Sequence, residues 1–292
     1  MTSTAPFQTL SSHACFGGRQ LFLQHDSREI GLPMKLALYL PPQAEHGPVP
    51  ALLYLAGLTC NEETFMVKAG AQRLAAELGV ALIAPDTSPR GAAVESLEGA
   101  TASWDFGIGA GFYLDAMQQP WRTHWRMESY LTAELLPLLA QHQPIDLQRL
   151  GLFGHSMGGH GALTLALRHP GMFRSLSAFA PICAPTRCPW GEKAFTGYLG
   201  SDRTAWGEHD ATVLMENQPI APYPAGILID QGLDDKFLAE QLHPHLFEAA
   251  CIAIGQPLAL RRHAGYDHGY YFIQSFMEDH LRHHARQLGL AG

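Results

Sequence analysis

The chain is poor in charge. Asp and Glu number 27 against 19 Lys and Arg, charged residues are 16% of 292 positions, and the net charge is −8. No block of Lys and Arg occurs, which argues against a nucleic-acid partner. The acidic balance offers no general attraction to an anionic substrate, so any such selectivity must be local. No run of about 18 apolar residues is present, so no membrane-spanning helix is expected. The opening "MTSTAPFQTLSSHACFGG" lacks a basic start followed by an apolar stretch and does not read as a secretory leader. Paired cysteines are missing too. The five, Cys15, Cys60, Cys183, Cys188 and Cys251, are odd in number and irregular in spacing. That excludes a disulfide framework and points to reduced thiols in a cytoplasmic protein. Cys183 and Cys188 are close, but no second pair completes a zinc site, and neither metal nor cofactor is expected. Repeats and low-complexity linkers are absent, so one domain over 1–292 is the simplest organisation.

What is present is apolar: 47% of residues are hydrophobic, enough for a sizeable core. Short β-branched or apolar runs predict strands at 34–40, 51–57, 80–86, 149–155, 175–182, 226–232 and 258–265. Several are apolar throughout, as strands covered on both faces are. Helical spacing fills the intervals. "EETFMVKAGAQRLAAELG" ends at Gly79, a C-terminal cap. "YLTAELLPLLAQH" carries Pro137 and "FLAEQLHPHLFEAACIAIG" carries Pro244, each of which must kink its helix or mark a boundary. The last segment, from Tyr270 to Leu288, is amphipathic. Alternating strands and helices predict an α/β fold with a mostly parallel sheet and helices on both faces. An antiparallel hairpin from the first 40 residues is expected at its edge. Two long irregular stretches, 86–125 and 183–225, are candidates to carry function.

The sharpest local signal is "GLFGHSMGGHGAL". It contains Gly154-His155-Ser156-Met157-Gly158, the G-x-S-x-G pattern, between a convincing strand and a convincing helix. Such a turn exposes the serine hydroxyl and aims the next backbone N–H, that of Met157, into a site. A serine needs a base, usually a histidine held by a carboxylate. In this strand–turn–helix context the chain order is Ser, acid, His. Of sixteen histidines, His268 follows the last strand in a loop, as the base should. His263 lies within a strand. His243, His245, His280, His283 and His284 fall in helical patterns, and "HLRHHA" reads as a solvated helix face. The acid belongs in the loop after the preceding strand, where "QGLDDKF" sits. Asp230 ends the strand and points sideways. Asp234 and Asp235 both qualify, with a lean to Asp235 from its spacing to Gly232; the other is free to cap a helix. Asp267 reads as a turn or cap residue. A second oxyanion donor is expected after the strand at 51–57, where the Gly57-Leu58 peptide can present the Leu58 N–H. Cys60, two residues on, is either a small loop residue or a participant.

These stretches, with "LYLAGLTCNEETF", "APDTSPRG", "SWDFGIGAGFYLDA", "APICAPTRCPWGEKAFTGYLG" and "GYDHGYYFI", closely resemble the S-formylglutathione hydrolase family, also called esterase D, nearly end to end. The resemblance implies an α/β-hydrolase fold and hydrolysis of S-formylglutathione to glutathione and formate in formaldehyde detoxification. A general carboxylesterase or an acyltransferase of the same fold is the alternative. It implies Ser156 as nucleophile, Asp235 as acid, His268 as base, and the N–H groups of Leu58 and Met157 as oxyanion donors. It also places a cysteine at the position of Cys60, near the site. Ala56 and Gly269 stand where the family pattern has serine. A formyl group needs only a small acyl pocket, for which Trp104, Phe106 and Trp190 are candidate walls; plain loop packing is the competing reading. A homodimer is left open.

Overall fold

The computed structural model describes residues 6–290. The outermost residues of the expected domain, 1–5 and 291–292, lie outside that range. Nine strands form one sheet in the order β1-β2-β3-β5-β4-β6-β7-β8-β9. They are β1 Gln8–Cys15, β2 Gly18–Asp26, β3 Pro33–Leu40, β4 Val49–Leu55, β5 Ala81–Pro85, β6 Ile145–His155, β7 Ser175–Phe179, β8 Ile227–Gly232 and β9 Leu258–His263. β1, β2, β3 and β5 pair antiparallel, the remainder parallel. The expected edge hairpin is there, extended by β3 into a three-stranded antiparallel flank. The centre is aligned by registers such as Leu53 opposite Ile83 and Leu152, and Leu152 opposite Leu176. These leucines are fully buried, which is why their strands read as unbroken apolar runs.

Helices cover both faces. A side chain at Gly151 would meet His284 of the helix Tyr270–Gln287, whereas one at Gly154 would meet Gly158 of the helix Met157–Arg168. An odd separation along a strand points to opposite faces, so these two helices sandwich β6. The predicted helix over 62–79 is broken in two, Glu62–Lys68 and Gln72–Leu78, at Gly70 with φ +67°; Gly79 does cap the second. Each proline is absorbed by widened winding. Tyr130–Leu135 forms a π-helix just before Pro137, and Leu238–Leu242 another before His243 and Pro244. The wider turn accommodates the ring and the missing N–H. β7 stops at Phe179, short of the predicted 182, because Ala180 turns to φ +42° and Pro181 has no N–H to donate. Among the described residues no helix is long and apolar enough to cross a membrane.

The solvated face expected at "HLRHHA" is corrected. His280 and His284 are fully buried and His283 is 9% exposed. They are the polar underside of the last helix and hydrogen-bond into the sheet, as described below. Period alone does not distinguish an outer polar face from an inner one whose partners come from distant strands.

Candidate active site

The site assembles at the C-terminal ends of β4, β6, β8 and β9, where an open parallel sheet presents its loops. At the end of β6 the chain turns within one residue into the helix beginning at Met157. Ser156 sits at the apex with φ +59° and ψ −118°. A non-glycine residue held there costs roughly 1–3 kcal/mol, which the surroundings must offset. They do so by backbone ties: Ser156 N–H donates to Phe179 O at 2.9 Å, and Ser156 O accepts from His160 and Ile182 N–H. The flanking glycines are demanded by crowding. A Cβ on Gly154 would lie 2.2 Å from Gly158 O, and one on Gly158 1.9 Å from Leu55 O.

The loop after β4 abuts this turn. A Cβ on Gly57 would lie 3.2 Å from Ser156 Cβ. Thr59 N–H donates to Gly109 O and Cys60 N–H to Gly57 O, while the N–H of Leu58, just before them, has no backbone acceptor among the described residues. Met157 is the first residue of its helix, and the opening N–H groups of a helix have no partner one turn back. Two free donors thus flank the serine.

His268 lies in the loop between β9 and the last helix, half-buried. Its Nδ1 is 2.5 Å from Asp235 Oδ2. That carboxylate is buried and fully engaged. Gln231 Nε2 donates to Oδ2 at 3.2 Å, and Phe237 N–H donates to Oδ1 at 2.8 Å. Of the two adjacent aspartates, Asp234 is exposed and Asp235 points inward. The helix that follows has Phe237 as its N-cap and no side-chain cap, so the capping role expected of the other aspartate is not seen. Asp267 accepts from Gly269 N–H at 2.8 Å, the anticipated turn. The His268 ring is held edge-on by Phe237 at 5.0 Å and packs on His155 at 4.5 Å. Burial pushes the His155 imidazole well below its ordinary range, so the ring beside His268 is neutral.

Ser156 and His268 line the same cavity, about 200 Å³ in volume. They share it without a direct hydrogen bond, a contact that tightens when a reacting group lies between such residues. Leu58, Cys60, Trp104 and Trp190 also line it. Trp104 is half-exposed and stands edge-on to the buried Trp190 at 5.6 Å, making one wall of the mouth. Phe106 does not reach the cavity. It stacks on Tyr198 at 4.6 Å and against Trp121 at 4.9 Å, over Gly197, which leaves room for its ring. Its loop folds back onto the helix Pro189–Tyr198, so packing is its role. Burial raises the Cys60 thiol above its ordinary range, opposed by hydrogen bonds from Thr64 and Tyr270. Phe237, Thr59 and His155 line the cavity without having been singled out. Phe237 carried a signal in retrospect, two residues after the carboxylate whose oxygen takes its N–H.

A larger cleft of about 680 Å³ lies beside His25 and Glu134. Glu134 is spent there on Ser27 and on the N–H groups of Arg28 and Glu29. That cleft has no nucleophile and base facing each other, so chemistry rather than volume marks the site. Among the described residues no three His, Cys, Asp or Glu side chains cluster to hold a metal ion.

A family model described as "Putative esterase" matches residues 27–283. The chain is 53% identical over 280 residues to the S-formylglutathione hydrolase of Rattus norvegicus, covering 96% of this chain and 98% of that one. It is 50% identical over 286 residues to that of Paracoccus denitrificans, covering 98% and 100%. A solved S-formylglutathione hydrolase from Agrobacterium tumefaciens superposes with a TM-score of 0.92 at 47% identity, over 96% of this chain and 99% of the other. A strand-ordered hydrolase sheet, a strained serine and a histidine–carboxylate pair on one cavity accompany that likeness, and the chain belongs to the esterase family, among its S-formylglutathione hydrolases.

Proposed function

We propose that the chain is one catalytic domain that hydrolyses S-formylglutathione to glutathione and formate through a formyl-serine intermediate. The observation that carries this is the convergence of Ser156, at its strained turn, with the buried Asp235–His268 pair on one small cavity. His268, anchored through Nδ1, takes the Ser156 proton on Nε2 as the hydroxyl oxygen attacks the thioester carbonyl. The negative charge that develops on that oxygen is met by the N–H groups of Leu58 and Met157, and one such donor is worth about 3 kcal/mol of barrier. Collapse breaks the C–S bond, and the imidazolium returns its proton to the departing sulfur. Water then attacks formyl-Ser156, giving its proton to His268; formate leaves and the serine is regenerated. Asp235 holds the tautomer and stabilises the imidazolium. A cavity of about 200 Å³ suits an acyl group that carries only hydrogen on its carbonyl. The five free cysteines fit a reducing, cytoplasmic setting.

Steady-state comparison of S-formylglutathione with 4-nitrophenyl acetate tests the reading. A kcat/KM for the thioester well above that for the aryl ester is expected. Equal or better turnover of the aryl ester would make the chain a general carboxylesterase instead.

A further inference from the structure

This inference rests on the substrate proposed above and concerns its glutathionyl part. That group carries two carboxylates and one ammonium. A protein of net charge −8 repels it on average, so any attraction must be local. The chain has only four lysines, Lys35, Lys68, Lys193 and Lys236; none lines the active-site cavity itself, and three lie beside residues that line it or pack against its lining. Lys236 lies between Asp235 and Phe237, its ammonium 4.9 Å from the Phe237 ring that lines the cavity. Lys68 holds its ammonium 5.7 Å from the Tyr270 ring. Tyr270 in turn packs on His155 at 6.2 Å, and both it and the Lys68 charge bear on the Cys60 thiol. Lys193, one turn after Trp190, is spent: it pairs with Asp105 and donates to Ser103 at 2.7 Å. Arg90, which reaches Cys60 O, is likewise committed to Asp86. Lys68 and Lys236 have no carboxylate partner among the described residues, and aromatic rings rather than acids hold them in place. Lys236 stands beside the lining residue Phe237, and Lys68 beside Tyr270, which packs on the lining residue His155.

We propose that Lys68 and Lys236 bind the two carboxylates of the glutathionyl moiety, and so set the preference for the thioester over neutral esters. Lysine, as a point charge on a flexible stem, suits a carboxylate that arrives on a flexible peptide. Binding remote from the reacting carbonyl is made alike in ground and transition states, so it is felt in KM rather than kcat.

The test uses K68Q, K236Q and the double variant, with K35Q as a remote control. KM for S-formylglutathione should rise about fivefold to tenfold in each single variant and at least thirtyfold in the double, with kcat within about twofold. Inhibition of 4-nitrophenyl acetate hydrolysis by S-methylglutathione should weaken in parallel, and its dimethyl ester should bind wild type and variants alike. KM for S-formylglutathione within twofold of wild type in the double variant would overturn the lysine assignment alone. A wild type that neither prefers the thioester nor is inhibited by S-methylglutathione would overturn the functional reading, and this inference with it.

Discussion

Two serine–histidine–aspartate sets lie close together in this molecule, and β8 leads into both. The first is Ser156, His268 and Asp235. The second is Ser177, His280 and Asp230: His280 Nδ1 is 2.8 Å from Ser177 Oγ, and its Nε2 is 3.1 Å from Asp230 Oδ2. By hydrogen-bond continuity the second set is the more complete. It continues from Ser177 to His284 Nε2 at 2.8 Å, and from His284 Nδ1 to Ser175 at 2.6 Å. Yet its three members are fully buried, Ser177 sits in a regular strand, and Arg261 and His263 bind the same aspartate. Burial alone would raise the Asp230 carboxyl, but hydrogen bonds from His280 and Arg261 outweigh it and hold it well below the usual range. The comparison teaches that residue types and contacts do not make a nucleophile. A nucleophile needs a strained turn, a cavity and unpartnered N–H donors around it, and of the two sets only the first has the turn and the cavity.

The largest expected effect separates the two serines. Ser156→Ala should lower kcat/KM by roughly 10⁴-fold or more, whereas Ser177→Ala should leave the folded enzyme within about threefold and cost about 1–2 kcal/mol of stability. Rates and urea melts of the two purified variants decide it; comparable activity losses would erase the distinction. The aspartates come next. Asp235→Asn is expected to lower kcat by about 10³- to 10⁴-fold, since the tautomer is lost. Asp230→Asn should instead cost about 3 kcal/mol of stability, by leaving Arg261 and His280 poorly paired around it. A kcat collapse in Asp230→Asn with unchanged stability would move catalysis to the buried set.

The buried set also predicts an acid limit. His283 is pushed down to about 4 by burial, and burial likewise lowers His280 and His284. Their folded-state values lie below the unfolded ones, as does that of Asp230, so the unfolded chain binds more protons. Stability is therefore full above about pH 6.5 and falls as pH drops toward 4. His283 alone contributes about 3 kcal/mol over that window. Thermal melts between pH 7.5 and 4.5 should show Tm falling steadily on acidification. A flat profile would mean that these histidines are not neutral within the fold. The smallest effect belongs to Asp234→Asn. This exposed neighbour of Asp235 should change kcat/KM by less than about twofold, and a large loss there would reverse the choice between the two aspartates.

Legibility in the sequence followed how local each cause is. The elbow around Ser156 is written in five consecutive residues, because its crowding involves the chain immediately before and after. The strands of the core showed as apolar runs because both of their faces are covered. Asp235 and His268 were reachable from chain order and loop position, though the choice of Asp235 over Asp234 rested mainly on family likeness. The histidines of the last helix were misread, because their partners Ser175, Ser177 and Asp230 lie about 50 to 109 residues away along the chain. Phe106 was misplaced for the same reason: its stacking partner Tyr198 lies at the end of the helix Pro189–Tyr198, far along the chain.

By itself, then, the sequence determined the alternating α/β architecture, the serine turn and its glycines, and the shortage of positive charge that makes local lysines matter. Periodicity and steric demand within a few residues are enough for those. Tertiary structure decided which histidines are sealed and which one faces the cavity, which of two serine–histidine–aspartate sets opens onto it, and which aromatic rings line it. Those outcomes depend on burial, and burial at a position is set by segments that meet it only when the sheet has closed.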